Sequence, residues 1–573
     1  MRLWAVILSF CVGLGLTGCN LDGLRNPTAQ VPQLIASITV DPKTFNYALN
    51  EESPNVFGFI YEGLISENGL TGELEPALAE SWEITPDNLS IIYTLRPNLK
   101  WSDGHPLTTA DVVFTYNEIY LNPKIPSSTI DILRVGQQKQ LPTIQALDAR
   151  RVQFSLPEPF APFFRTSGLP ILPEHSLAEG IRTLDRDGNP KFLTMWGTQT
   201  NPTLIIANGP FTIESYTTNQ RIIFRRNPHY WKRPEPYLER FVWQIVDSTD
   251  TALIQFRSRG LDVLDVAPMN FSLLKREEES GNFRIYNGGP ASGVTFLSFN
   301  QNKGSRNGQP LVDPIKSAWF NSIPFRQAVA YAIDRQTMIN NLYRGLGATQ
   351  NSPLSVQSPY YLSPEAGLKV YDFDPDQSRK LLAEAGFSWN QENQLLDPKG
   401  HRVQFTLLST TGSPVREAIS AQIKQNLAAI GIQADLTFIS FSTLVEKLAN
   451  SYDWEAYIGA FTGGVEPNNG FNIWSPNGRL HVFNQADAAL RGREVQAWEQ
   501  RIGDLYIQGA QELNEDRRKE IYFETQQITQ ANVPFIYLVN PLTLAAFRNR
   551  IQGAEPTGLG GTLWNIAELK AVN

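Results

Sequence analysis

Few residues in this chain combine reactive side chains with a spacing that would put them to use. It has two cysteines, Cys11 and Cys19, and five histidines, His105, His175, His229, His401 and His481. Metal sites need such ligands in close pairs, and a metalloprotease helix carries two histidines four residues apart. No two of these histidines would share a helical turn, so each reads as a turn or surface residue rather than a ligand. Asp185-Arg186-Asp187-Gly188-Asn189 has the opening of a calcium loop. It lacks the downstream glutamate that would complete the cage, and an Asp-Gly hairpin turn accounts for it. There is no nucleophile elbow, phosphate loop, dinucleotide fingerprint or paired-histidine helix. The expectation is a chain that is not an enzyme, with no catalytic residue, metal or cofactor.

One thiol has a telling context. Cys19 follows Arg2, an apolar run from Leu3 to Leu16, and the small residues Thr17-Gly18. A basic start, a short apolar stretch and small residues before a cut point make a secretory signal. The run falls short of the ~20 apolar residues that span a bilayer. Leu16-Thr17-Gly18-Cys19 resembles the lipobox of bacterial lipoproteins, which implies lipidation at Cys19 after removal of residues 1–18. The alternative is an ordinary secretory signal with an incidental cysteine. Cys11 would leave with the signal, so the mature chain has no intrachain disulfide. One acyl chain holds a protein only marginally at a membrane, and a lipoprotein cysteine carries more than one. Residues 19–33, with two prolines and a glycine, read as a flexible lipidated tether.

The elements that would position a site must be organised in several domains, because 573 residues exceed one hydrophobic core. Hydrophobic residues make up 42% and charged residues 18%, within the range of globular proteins. The net charge of -8 comes without any basic run, which excludes a nucleic-acid partner on electrostatic grounds. Ile91–Leu95, 151–156 and 222–226 read as strands, and 533–539 as a buried one. Thr108 with Asp111 three residues on predicts a capped helix. Apolar residues from Phe325 to Tyr343 recur at helical spacing between Pro324 and Gly345, which predicts one continuous helix. Asp374-Pro375 and Ser413-Pro414 open two more, and the second runs straight into a period-two strand at 432–438. A last helix is expected over 512–529. Helices feeding strands indicate an α/β fold.

Three sets of segments then carry a resemblance. They are Leu78–Glu83 with Leu95-Arg96, Trp101–Gly104 and Thr109–Phe114; Asn208–Phe211 with Arg226–Trp231; and Phe325–Arg335 with Tyr343–Gly345 and Leu381–Gly386. Together they resemble the family 5 extracellular solute-binding proteins, the dipeptide, oligopeptide and nickel receptors of ABC importers. The resemblance implies a two-lobed, hinged periplasmic-binding-protein fold (type II-like, cluster C) with an extra domain inserted near the N-terminus. The implied division is lobe I at 34–62, 200–288 and 532–573, the inserted domain at 63–199, and lobe II at 289–531. It further implies an exported, membrane-anchored monomer that captures peptides between its lobes and hands them to an ABC permease. The alternatives are a receptor for a metal chelate, an opine or a sugar, or a sensor or chaperone on the same scaffold.

In peptide-binding relatives a lobe II loop supplies an aspartate to the ligand's amino terminus. The matching position here is Gly464, and Glu466 stands two residues away as a substitute carboxylate or as the residue before a surface turn. Asn468 and Asn469 are turn formers or ligand contacts, and Trp474 is a pocket wall or core filler. The resemblance places Tyr61 at the cleft edge, where it is a pocket residue or simply packed. Asn300, at a strand end, is a donor for a peptide backbone. Arg416 opens a helix where a cation opposes the dipole, which suits a ligand carboxylate nearby.

Overall fold

The computed structural model describes residues 31–50, 55–127, 129–136, 138–246 and 248–572. Leu16–Cys19 and most of the tether lie outside the described residues. Among the described residues no helix is long and apolar enough to cross a membrane.

Two four-stranded sheets share one core in the first half of the chain. One runs Gln33–Ile38, Arg240–Ile245, Arg221–Arg226 and Phe211–Thr217 across its width, and the other Ala79–Ile84, Ser90–Leu95, Arg151–Ser155 and Thr143–Ala146. Their strands alternate buried and exposed residues, as a sheet with one covered face must. Behind the second sheet lies the helix Thr109–Phe114. Its capping box is formed by Thr108 and Asp111, and it continues as a π-helical turn over Thr115–Tyr120. A single buried cluster links Leu34, Phe211 and Phe241 of the first sheet to Tyr93, Val112 and Phe154 of the second. The two sheets therefore share one core.

The second half is built on a five-stranded sheet, in the order Gln433–Ile439, Gln404–Thr410, Ala456–Phe461, Val294–Phe299 and Phe535–Tyr537. Gln404–Thr410 and Gln433–Ile439 are parallel and joined by the helix Pro414–Ala429, a βαβ unit. Period-two alternation gives this sheet two different faces. Leu297, Phe299, Phe405, Leu407, Ile458 and Ile536 point to one side, into a mostly aliphatic core with the helices Ile323–Ala332 and Pro414–Ala429. Phe296, Tyr457, Phe535 and Tyr537 point to the other, into a mostly aromatic layer under the helices Ala497–Gln511 and Glu515–Asn532.

The halves are joined where strands run from one sheet into another. Phe283–Pro290 and Val539–Arg548 pair in a further sheet of the first lobe, while Val294–Phe299 and Phe535–Tyr537 pair in the five-stranded sheet. The strands change sheets at 291–293 and at Leu538. Phe535–Tyr537 still pairs within the five-stranded sheet. Buried Asn540 ties the joint, donating to Ala291 O at 3.0 Å, Gly293 O at 2.5 Å and Gln350 Oε1 at 3.1 Å.

Two helix expectations change. The stretch 324–344 is two helices, Ile323–Ala332 and Arg335–Leu342, because Asp334 caps the second by accepting from Thr337 N at 2.9 Å. The final helix is Glu515–Asn532, preceded by Ala497–Gln511, which periodicity alone did not reveal.

Candidate functional site

The strand Ala456–Phe461 ends in the middle of the aromatic face and leads into a loop at 462–470. Gly463 holds that loop against the interlobe joint. A Cβ there would lie 1.6 Å from Ser292 O, so no other residue fits without moving backbone. Gly464 is different, since its Cβ would meet nothing nearer than Asn469 Nδ2 at 3.7 Å. The position has room for a side chain and carries none.

Glu466 turns inward, only 5% exposed, and its carboxylate is already engaged. Arg518 approaches it end-on, with Nη1 at 3.0 Å from Oε2 and Nη2 on Oε1. Oε1 also accepts from Asn468 N at 2.9 Å, capping the short helix Pro467–Gly470. Oε2 lies 3.7 Å from Nε of Arg165, which comes from the first half of the molecule. Arg165 also pairs with Glu67 and donates to Gly72 O at 2.9 Å. Burial works against a charged Arg518, yet Glu466 facing it holds its guanidinium above the ordinary arginine range. Burial raises the Glu67 carboxyl, and Arg165 only partly offsets that. Two carboxylates and two guanidinium groups thus meet where the halves approach each other. A backbone hydrogen bond from Ala161 N to Ala510 O at 2.7 Å adds to that contact.

Beside this cluster the aromatic face is hollow. A cavity of about 190 Å³ lies behind the 462–470 loop. Phe296, Phe461 and Phe535 form one wall, with centroids 4.5 Å apart for Phe296–Phe535 and 4.8 Å for Phe296–Phe461. Trp474 and Tyr506 stack at 6.5 Å on another side. The Tyr537 hydroxyl is buried at the cavity without a hydrogen-bond partner among the described residues, and burial holds its phenol well above the ordinary value, so it is a neutral donor. A second depression of about 580 Å³ lies next to Asp103, His175, Trp196 and Leu204. It is open, and none of the residues nominated from sequence borders it.

The structure brings Glu466, Asn469 and Trp474 together at the enclosed cavity. Glu466 caps a turn, as one reading allowed, but the turn is buried and the carboxylate is paired. Asn468 belongs to that turn and does not border the cavity. Tyr61 is packed in the first-half core, stacked on Phe57 at 6.5 Å. Asn300 is 1% exposed and donates to Tyr452 O and Trp454 O at 3.3 and 3.0 Å, so it ties off a strand end and cannot reach a ligand. Arg416 donates to Thr410 Oγ1 at 3.1 Å from a helix packed on the aliphatic face of the sheet, away from the cavity. The histidines are also less scattered than their spacing indicates. His105 stacks on His175 at 4.2 Å, and His175 Nε2 sits 2.8 Å from Asp103 Oδ2. His481 is fully buried against Glu499 at 3.0 Å rather than on the surface. Among the described residues no group of three or more His, Cys, Asp or Glu is arranged to hold a metal ion.

Sequence reasoning missed Arg518, Arg165 and Tyr537. One signal was available for the first. The helix Glu515–Asn532 lacks an apolar stripe, and its inward positions are Arg518, Tyr522, Thr525, Gln526 and Thr529. Such a helix is buried through polar contacts, and its one inward cation needs an anion.

The profile of the bacterial extracellular solute-binding proteins, family 5 (Middle), matches residues 73–479. The chain belongs to that family. It is a solute-binding protein of an ABC importer, and its family comprises substrate-binding components of transporters rather than enzymes. A probable ABC transporter-binding protein of Deinococcus radiodurans is 27% identical over 557 residues, covering 90% of this chain and 87% of the relative. The oligopeptide-binding protein AppA of Bacillus subtilis is 22% identical, with 96% and 94% covered. Its structure with a nonapeptide superposes with a TM-score of 0.66 at 21% identity, covering 94% of this chain and 99% of that one. NikA from Brucella suis, in complex with Fe(III)-EDTA, superposes with a TM-score of 0.75 at 18% identity, covering 94% and 100%. These likenesses establish the two-lobed α/β fold of this family 5 protein.

Proposed function

We propose that this family 5 protein is the peptide receptor of its importer, an exported and monomeric lipoprotein anchored through Cys19. The observation that carries this reading is the meeting of Arg165 with Glu466 and Arg518 beside the cavity. Glu466 and Arg518 come from the second half and Arg165 from the first, so closing the lobes brings this cluster together beside the cavity. A ligand that bridges both faces favours the closed form and shifts the population toward it. The permease then recognises that form. Glu466, Asn469 and Trp474 are the ligand contacts on the lobe II side. The relatives named for peptides support peptides over other solutes. Anchoring keeps the receptor near the permease and raises its effective concentration there.

Native mass spectrometry of the purified protein tests the reading. Co-purified masses of short peptides are expected, and a sugar or a metal chelate in their place would overturn it. For the anchor, labelling of cells with a radioactive fatty acid is expected to mark the wild-type chain but not Cys19→Ser. Equal labelling of both removes Cys19 from the proposal.

A further inference from the structure

The cavity behind the 462–470 loop limits which ligand groups it can take. At about 190 Å³ it is slightly larger than the roughly 150 Å³ apolar cavity that admits benzene. It therefore holds one ring, not a stretch of backbone. Its largest walls are ring faces and edges, with Val294, Leu354, Ile473 and Leu480 between them: Phe535 meets Trp474 at 5.6 Å and 90°, and Phe296 at 4.5 Å and 62°. Such walls favour an aromatic guest over an aliphatic one of equal size.

Charge is excluded by the neighbouring ions. Glu466 is the carboxylate at the cavity, and Arg518 and Arg165 already compensate it. Gly464 offers no second carboxylate, although the backbone there has room for one. A lysine, arginine or glutamate side chain entering the cavity would lose its hydration and find no free counter-charge. The hydroxyls differ in availability. Tyr537 Oη is buried with no partner among the described residues, which is not so for Tyr506 Oη. A buried hydroxyl without a partner is costly, and a ligand that offers one removes the cost. A second hydroxyl matches it well, because each can donate or accept.

We infer that this cavity is a subsite for one uncharged aromatic side chain of the ligand, a phenol by preference, with Tyr537 as the specificity-determining residue. The side-chain assignment rests on the peptide reading above; the cavity's affinity for a bare phenol does not.

The test uses tri- and tetra-alanine peptides in which each alanine in turn is replaced by Tyr, Phe, Leu, Lys or Glu, with affinity measured by calorimetry. At one position Tyr is expected to bind best. Phe should be about fivefold weaker there, the worth of one neutral hydrogen bond. Lys and Glu should be weaker by about 100-fold, as uncompensated burial of a charge requires. Tyr537→Phe should erase the gap between Tyr and Phe while keeping the affinity for Phe. Ile473 also lines the cavity, and Ile473→Trp, which fills it, should abolish the aromatic preference and spare the all-alanine peptide. Lys or Glu binding as well as Phe at every position overturns the inference, as does a Tyr–Phe gap that survives in Tyr537→Phe. A second arm uses p-cresol. It should raise the melting temperature of the wild type but not of Ile473→Trp, and equal or absent shifts overturn the subsite. If no peptide binds while p-cresol does, the peptide reading falls and the phenol subsite stands.

Discussion

The two faces of the five-stranded sheet come from the same strands and have opposite packing. On one face Leu297, Leu407, Ile458 and Ile536 interlock with two helices in an aliphatic layer. On the other, Phe296, Phe535, Tyr537 and Trp474 surround a hollow of about 190 Å³ and leave a hydroxyl unpartnered. Neighbouring residues of one strand, such as Phe535, Ile536 and Tyr537, serve both. The difference separates what folds the lobe from what the lobe can recognise. The filled face also holds rings meeting edge to face, such as Phe299 and Phe405 at 82°, so the gap comes from the arrangement around the cavity and not from ring packing as such.

That contrast can be broken at several points. The largest effect is expected at the edge of the hollow face, where Arg518→Met strands Glu466 in a buried site with Arg165 alone, 3.7 Å away. A loss of about 3–5 kcal/mol is expected in chemical denaturation, because an uncompensated charge remains inside. The double variant Arg518→Met/Glu466→Gln should recover much of it, and a double variant as unstable as the single would refute the charge explanation. On the filled face, Ile458→Ala should cost about 2–4 kcal/mol through the cavity it opens. Ligand affinity of the folded protein should stay unchanged, since Ile458 points away from the site. A comparable loss of affinity would show that the faces are not independent. The smallest effect has the opposite sign. Tyr537→Phe removes a hydroxyl without a partner and should stabilise the free protein by up to about 1 kcal/mol. A falling melting temperature would mean that this hydroxyl has a partner in solution.

The sequence was most legible where structure is decided locally. Thr108 with Asp111, Asp374 before Pro375 and Ser413 before Pro414 each mark a helix start, and each helix begins there. The same chemistry explains one misreading. Apolar spacing continues from Phe325 to Tyr343, but Asp334 caps a new helix and outweighs it. The site was only half legible. The loop with Glu466 could be located from the family pattern, whereas its partners stand far off in the chain: Arg518 is 52 residues away and Arg165 lies in the first half. Asn300 and Tyr61 show the reverse error. A polar residue at a strand end and an aromatic near a crossover look available in sequence, yet both are used up by neighbouring backbone or packing.

The joint at Leu538 also governs the order in which the molecule can assemble. Val539–Arg548 is the middle strand of a first-lobe sheet, flanked by Val263–Asp265 and Phe283–Pro290. Arg550 closes it through an ion pair to Asp262, 288 residues earlier. A chain emerging from its N-terminus cannot complete that sheet until its last segment has arrived. Contacts of such long range make folding slow. Until then both flanking strands keep an open edge, so the lobe that appears first becomes the last to be sealed.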